Sequence, residues 1–271
     1  MWLTREDPLQ LVRIRDDAFG YADLSDGFLR LIVIEGEFEK DFFRIGDALL
    51  QDDGECFDVG ANHGLLSLGL ARKFDDRVHF HLFEPNSSLR ESIEKSLRLY
   101  PSIQARINSA AVSDHDGTVQ IHFQEGHLGM SHVIENGGIP VRSMKLDSYL
   151  TGQKLDRVDF MKMDIEGYEL AALRGAENAL KARRIKAIYF EYCEKWLSRH
   201  HHPQKLLDYL DSLAYAVCFC RSADIATQGG ATSTLIAGLP GHGLPLVPIQ
   251  GRHVPSTTDL LAIPRENLTS I

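Results

Sequence analysis

From Cys56 onward the chain alternates two hydrophobic rhythms: compact apolar runs of strand length, and longer segments in which apolar residues return every third or fourth position. CFDVG (56–60) reads as a strand, LLSLGLARKF (65–74) as a helix, VHFHLFE (78–84) as a strand and SSLRESIEKSLRL (87–99) as a helix. Leu89, Ile93 and Leu97 give that second helix an apolar stripe, and Ser88 with Glu91 reads as a capping box at its start. QARIN (104–108) is the next strand, and TVQIHF (118–123) with IPVRSMKL (139–146) reads as an antiparallel excursion. VDFMKMD (158–164) returns to the core. A helix over YELAALRGAENALKA (168–182), a strand AIYFEY (187–192), a helix PQKLLDYLDSL (203–213) and a strand AYAVCFC (214–220) follow, with DLLAIPRE (259–266) as the last strand.

Strand and helix alternating at this pitch predict an α/β fold, a mostly parallel sheet covered by helices on both faces. Ahead of it, residues 10–34 read as two strands, LVRIR and FLRLIVI, joined by the turn-rich DDAFGYADLSDG. Phe38, Phe42, Ile45 and Leu49 then have helical spacing. The expected organisation is therefore an N-terminal strand pair and lead-in helix over 1–50, and one globular unit over 51–271. Within that unit the Gly-, Pro- and Ser/Thr-rich segment at about 222–257 reads as a long surface loop, a candidate lid.

Composition narrows the function. The 271 residues are 44% hydrophobic and 25% charged, which is globular, and 29 Lys plus Arg against 38 Asp plus Glu leave a net charge of −9. Binding a phosphate backbone calls for clustered Lys and Arg, so no nucleic acid partner is expected. Four cysteines, at 56, 193, 218 and 220, form no CxxC pair and read as reduced core residues. No apolar run approaches membrane length and no leader is visible, so a cytoplasmic protein without membrane insertion is expected. Composition carries no sign of the oligomeric state.

Two constellations carry chemistry. The first is Asp58-Val-Gly60-Ala61-Asn62-His63-Gly64, closing one strand and opening a helix, with Glu84 and Pro85 at the end of the next strand. Glycines let backbone approach a ligand at the mouth of a parallel sheet, and a carboxylate at the second strand end suits the two hydroxyls of a ribose. A nicotinamide fingerprint would need glycine where Asn62 and Leu65 stand. S-adenosyl-L-methionine has ribose and adenine but no phosphate, so this bulkier turn suits it better than a dinucleotide. Asn108 to Ala111, with Ser109 the small polar member, is the candidate border of the adenine.

The second constellation, Asp159 to Glu169, crowds acids around a strand end, and alternation sends Lys162 and Asp164 to one face. Glu166 follows, and Glu191 holds the equivalent place on the next strand. His200, His201 and His202 are consecutive, and adjacent side chains point apart, so no metal site is expected.

DVGANHG, LFEP and KMDIEGYE, together with GEFEKDF, AAVSDHDGTV, IYFEYCE and LLAIPRE, resemble the FkbM-type methyltransferases over about residues 35–265. The resemblance implies a class I methyltransferase sheet of seven strands with the last antiparallel, using S-adenosylmethionine. It also implies O-methylation of a hydroxyl on a sugar, glycan or natural product. It places Asp58, Gly60, Asn62 and Gly64 around the methionine portion of the cofactor, Glu84 on the ribose and Asp164 at the junction with the acceptor. Asp164 and Glu191 are then the candidate catalytic carboxylates, with Glu166 beside them and His132, whose ordinary pKa lies near neutrality, the next choice. The competing readings are a non-catalytic cofactor-binding interaction module and an NAD-dependent oxidoreductase. Amino-methylation of a nucleobase would call for an Asn or Asp followed by two prolines where this chain has Asp164-Ile-Glu-Gly.

Overall fold

The structure, a computed structural model, describes residues 8–26, 29–30, 39–124, 126–221, 223–224, 233–236 and 244–270. β1 (Leu9–Arg15) and β2 (Ala18–Asp23) form an antiparallel hairpin. The second strand of this pair thus comes from the stretch expected to be the turn, while FLRLIVI lies outside the described residues except for Leu29 and Arg30. The physical reason is the buried face of β2, which is Ala18, Gly20 and Ala22. Small residues carry little hydrophobic signal, yet a Cβ on Gly20 would stand 2.7 Å from a Leu65 methyl.

α1 (Lys40–Leu49) follows, then β3 (Gly54–Val59), α2 (Leu65–Phe74), β4 (Val78–Phe83), α3 (Ser87–Leu97) and β5 (Gln104–Asn108). An excursion contains β6 (Ala111–Val112), β7 (Gly117–His122), β8 (His132–Ile134) and β9 (Ile139–Met144). α4 (Leu146–Gln153), β10 (Phe160–Met163), α5 (Glu169–Arg174), α6 (Glu177–Lys181), β11 (Ile188–Cys193), α7 (Glu194–Leu197), α8 (Gln204–Ser212) and β12 (Tyr215–Phe219) complete the alternating part. β13 (Ser233–Ile236), β14 (Leu244–Pro245), β15 (Val247–Pro248), β16 (Thr257–Pro264) and β17 (Leu268–Ser270) end the chain.

The main sheet has eight strands, one more than expected, in the order β15-β12-β16-β11-β10-β3-β4-β5. β3, β4, β5, β10 and β11 run parallel, and β16 lies antiparallel between β11 and β12. The added strand is β15, which pairs with the edge of β12. Chain order reverses between β3 and β10, and ligands of open parallel sheets bind outside the strand ends at such a switch point.

Three local expectations are corrected. The cap of α3 is Asn86, whose side chain accepts from the Ser88 N–H at 2.9 Å, rather than a Ser88–Glu91 box. The helix expected over 168–182 breaks into α5 and α6, because a Cβ on Gly175 would lie 1.9 Å from the Ser113 carbonyl oxygen and the chain bends at that contact. The described part of 222–257 is more than a surface loop. β13 pairs with β14 and β17, and Leu244, Leu246 and Val247 are buried. Two-residue strands broken by proline fall below any detectable periodicity. Residues 222, 225–232 and 237–243, where the candidate lid falls, lie outside the described residues.

The core has two layers, one on each face of the sheet. Phe57, Met161 and Phe190 face the layer that includes Leu173 and Leu206, whereas Cys56, Phe160 and Tyr189 face the layer holding α1 and α2. Phe42 of α1 packs against the rings of Phe160 and Tyr189 at centroid distances of 5.6 and 5.3 Å. All four cysteines are free and buried. Among the described residues no helix is long and apolar enough to cross a membrane.

Phe42→Ala removes a ring that touches the central strands, and urea denaturation should show a loss of about 3–5 kcal/mol, the range for a buried aromatic cavity. A loss under about 1 kcal/mol would show that α1 sits outside the cooperative core.

Candidate active site

The turn after β3 is built by close backbone contact. Gly60 has φ +79, and a Cβ there would stand 2.0 Å from the Asp164 carbonyl oxygen, so only glycine fits. The N–H groups of Gly60 and Ala61 both donate to the Phe83 carbonyl at 3.1 Å. Asn62 is left-handed at φ 53, and its N–H donates to Glu84 Oε2 at 2.9 Å. Gly64 then starts α2. Buried Asp58 accepts from Ser67 Oγ at 2.7 Å, and His63 is buried with Nδ1 2.7 Å from Ser92 Oγ, its pKa held down at about 4 by burial.

Glu84 has a role the sequence did not show. Its Oε1 accepts from the Asn86 N–H at 2.8 Å while Oε2 takes the Asn62 N–H, so the carboxylate ties the β3 turn to the cap of α3. Burial pushes its pKa up to about 7 against the pull of these two donors. A carboxylate has about four lone-pair directions, so each oxygen keeps acceptor capacity for a ligand hydroxyl.

At the end of β10, Asp164, Glu166 and Glu191 each bring a carboxylate oxygen within 4.8 Å of the others. Glu166 sits in left-handed backbone at φ 55, which turns the chain back over the strand end. Burial, then the charges of Asp164 and Glu191, push Glu166 up to about 9, and burial with Asp164 and Glu169 pushes Glu191 up to about 8. A divalent cation could bridge such a spacing, but an acidic cluster alone identifies no ligand. Glu169 is buried and accepts the N–H groups of Ile165 and Gly167, fixing the turn. Asp159 lies at the other end of the strand, paired with Lys186 and Arg157.

Two cavities meet at this cluster. One lies on the β3–β4 side, walled by Gly60, Glu84, Pro85, Leu89 and Ala110 and roofed by Ile121, Leu128 and His132. The other, of about 590 Å³, opens on the β11–β16 side between Ala61, His63, Glu191, Trp196 and Asp259. Asn62, Gly129, Asp164 and Glu166 line both. Asn62 Oδ1 is buried at this border without a hydrogen-bond partner.

The structure therefore brings Asp164, Glu166 and Glu191 together, and places Gly60, Asn62, Glu84 and Pro85 around one cavity. Ser109 is exposed and outside that wall, where Ala110 and Ala111 stand instead. His132 lines the first cavity and not the one that holds Glu191; its Nδ1 donates to the Met130 carbonyl at 3.0 Å and its Nε2 meets the Arg199 guanidinium, so both ring nitrogens are engaged. Sequence reasoning missed Trp196, Glu39, Arg221 and Asp259, which reach the second cavity from separate segments. It noted Lys162 by alternation without assigning it a task.

The sheet order, with an antiparallel strand inserted between β11 and β12, is that of the class I methyltransferase fold. The chain belongs to the FkbM methyltransferase family: the family model described as Methyltransferase FkbM domain matches residues 58–217. It is 24% identical over 204 residues to the 2-O-methyltransferase NoeI of Sinorhizobium fredii (strain NBRC 101917 / NGR234), covering 67% of this chain and 81% of that protein. Among solved structures, the methyltransferase FkbM from Methylobacillus flagellatus KT is 20% identical at TM-score 0.45, and the match covers 62% of this chain and 40% of that one. A SAM-dependent O-methyltransferase from Thermotoga maritima is 14% identical at TM-score 0.43, over 94% of this chain and 77% of that one. The methyl donor of this enzyme family is S-adenosylmethionine, and the partnerless Asn62 Oδ1 and the spare acceptor capacity of Glu84 fit its ammonium and hydroxyl donors.

Glu84→Ala strips a buried acceptor from two backbone N–H groups, each costing about 1–3 kcal/mol if left unpaired. The melting temperature of the ligand-free protein should fall clearly. An unaltered melting temperature would show that the turn holds without Glu84. The acids also set a pH dependence. Glu84, Glu191 and Glu166 hold protons to about 7, 8 and 9 when folded, against an ordinary 4.5. Between about pH 6.5 and 9 the folded state binds more protons, so stability falls as pH rises and levels off above that window. Thermal melts across this range read it, and stability rising throughout would contradict the assignment.

Proposed function

We propose that the protein methylates a hydroxyl oxygen of a small molecule or glycan, with the donor in the cavity walled by Glu84 and the acceptor in the larger cavity beside Glu191. The observation that carries this reading is the shared border: among the described residues the two cavities have Asn62, Gly129, Asp164 and Glu166 in common, with a cluster of acids at the contact. On this reading Gly60 and Asn62 border the donor's methionine end and Glu84 with Pro85 its ribose; Asp58 and Gly64 hold the turn in place from behind, and Ala61 and His63, expected on the cofactor, line the acceptor cavity instead. The O-methyltransferase relative agrees in reaction type.

S-adenosylmethionine supplies a methyl carbon already activated by its sulfonium. The chain's residues have the remaining tasks of aligning the acceptor and taking its proton. An alcohol is a weak acid, and a carboxylate of ordinary pKa is a poor base for it. Glu191, pushed up to about 8 by burial and by Asp164, is better matched. Asp164, half-exposed and on the border, orients the acceptor hydroxyl, and Glu166 closes the cluster above it. Among the described residues, six acids against Lys162, Lys195 and Arg221 around the acceptor cavity disfavour an anionic acceptor such as a nucleic acid.

Glu191→Gln keeps the shape and loses the basicity, so kcat should drop by about 10²–10⁴ while S-adenosylhomocysteine affinity by calorimetry stays nearly constant. In the unsubstituted enzyme kcat should rise with pH through about 8 and then level. Full turnover of Glu191→Gln and a pH-independent rate, with chemistry rate-limiting, would remove Glu191 from the mechanism.

A further inference from the structure

Beneath the acidic cluster lies a single buried cation. Among the described residues Lys162, 5% exposed, is the one buried lysine or arginine. It sits on β10 directly opposite Asp58 of β3 and, on its other side, opposite Tyr189 of β11. Its Nζ donates to the Gly60 carbonyl at 2.6 Å and lies 3.4 Å from Asp58 Oδ1 and 3.6 Å from Asp164 Oδ2. The ammonium thus makes one hydrogen bond, to the turn after β3, and two ion pairs, to the end of β3 and to the first acid after β10.

We propose that Lys162 is the positioning residue of this enzyme, a fixed countercharge that locks the donor-side turn to Asp164 and keeps the acids of the acceptor side able to ionise. The inference rests on the reading of those acids as the proton-accepting group. Removing water from an ammonium costs several kcal/mol, which only close, well-aligned anions offset. Burial would lower the pKa of Lys162, yet Asp58 and Asp164 hold it above the ordinary lysine range, so it stays charged throughout the working pH. Its field reaches four further acids around the two cavities. It favours ionisation of Glu39 before α1, Glu84 after β4, Glu166 after β10 and Glu191 on β11. Against it stand the mutual repulsions of these acids, with Glu169 and Asp259 also facing Glu191. A residue that served packing alone would not need this placement, because an apolar side chain of similar length fills the same space without the desolvation cost.

The test compares Lys162→Met and Lys162→Arg with the unsubstituted protein. Lys162→Met should shift the midpoint of kcat against pH upward by roughly half a unit, less than the 1–3 units of a contact pair, because Lys162 touches Asp58 and Asp164 and acts on Glu191 from farther away. It should also weaken S-adenosylhomocysteine binding in calorimetry, because the Gly60 turn loses its tether. Lys162→Arg should keep the midpoint closer to that of the parent while losing turnover through misplacement. A lowered melting temperature with an unmoved midpoint and unchanged affinity would reduce Lys162 to a structural residue and overturn the proposal.

If Lys162→Met does not fold, the parent protein decides. With ¹⁵N-labelled lysine, the Lys162 ammonium resonance should be protected from exchange and should move as the surrounding acids titrate between about pH 6 and 9. A resonance that exchanges freely or ignores that titration would overturn the proposal. Failure of the underlying reading shows elsewhere, as full turnover of Glu191→Gln.

Discussion

The contact between the Gly60 turn and the Asp164 backbone is the constraint on which the site depends. Two strands adjacent in the sheet but a hundred residues apart in sequence end with their outgoing chains pressed together, and any side chain at Gly60 would collide with the Asp164 carbonyl. The contact brings together a turn rich in backbone donors and a strand end rich in acids. Lys162 bridges the two from below through the Gly60 carbonyl, Asp58 and Asp164. Without a fixed bridge, a donor turn and an acceptor strand could shift relative to one another, and transfer between two cavities tolerates little misalignment.

The same crowding sets the electrostatics. Glu84, Glu166, Glu169, Glu191 and Asp259 are all pushed up by burial, so the folded protein holds carboxyl groups near the point of ionisation at neutral pH. Such an arrangement is unfavourable to folding in the ligand-free state. Perturbed acids concentrated in a cleft are characteristic of sites that move protons, where the strain is retained for reactivity. Two of the acids also hold the local backbone, Glu84 on Asn62 and Asn86 and Glu169 on Ile165 and Gly167. Their structural and functional contributions therefore cannot be separated by truncation to alanine alone.

Much of the fold was legible because the central strands and helices bury complete faces. LLSLGLARKF is helical over the range its pattern indicates, and β4, β5, β10, β11 and β16 all arise from the runs that predict them. What escaped was set by backbone contact rather than side-chain pattern. β2 buries alanine and glycine, α5 and α6 separate where Gly175 meets the Ser113 carbonyl, and β15 is two residues long. At the site, motif residues such as Asp58, Gly60 and Glu84 stood out because they cluster at strand ends. Glu39, Arg221 and Asp259 did not, because the second cavity collects them from segments with no common motif. Lys162 was visible as a residue sharing a face with Asp164, but its burial among anions follows only from the register of β10 against β3.

The central claim is that donor and acceptor occupy the two cavities on either side of the Asn62–Asp164 border. The most direct measurement is the structure of the protein crystallised with S-adenosylhomocysteine. The account predicts the ribose hydroxyls on Glu84, the adenine beside Ala110 and Ala111, and the sulfur directed across the border toward Asp164 and Glu191. A nucleoside seated in the cavity beside Trp196 and Asp259, or a sulfur directed away from the acids, would contradict it.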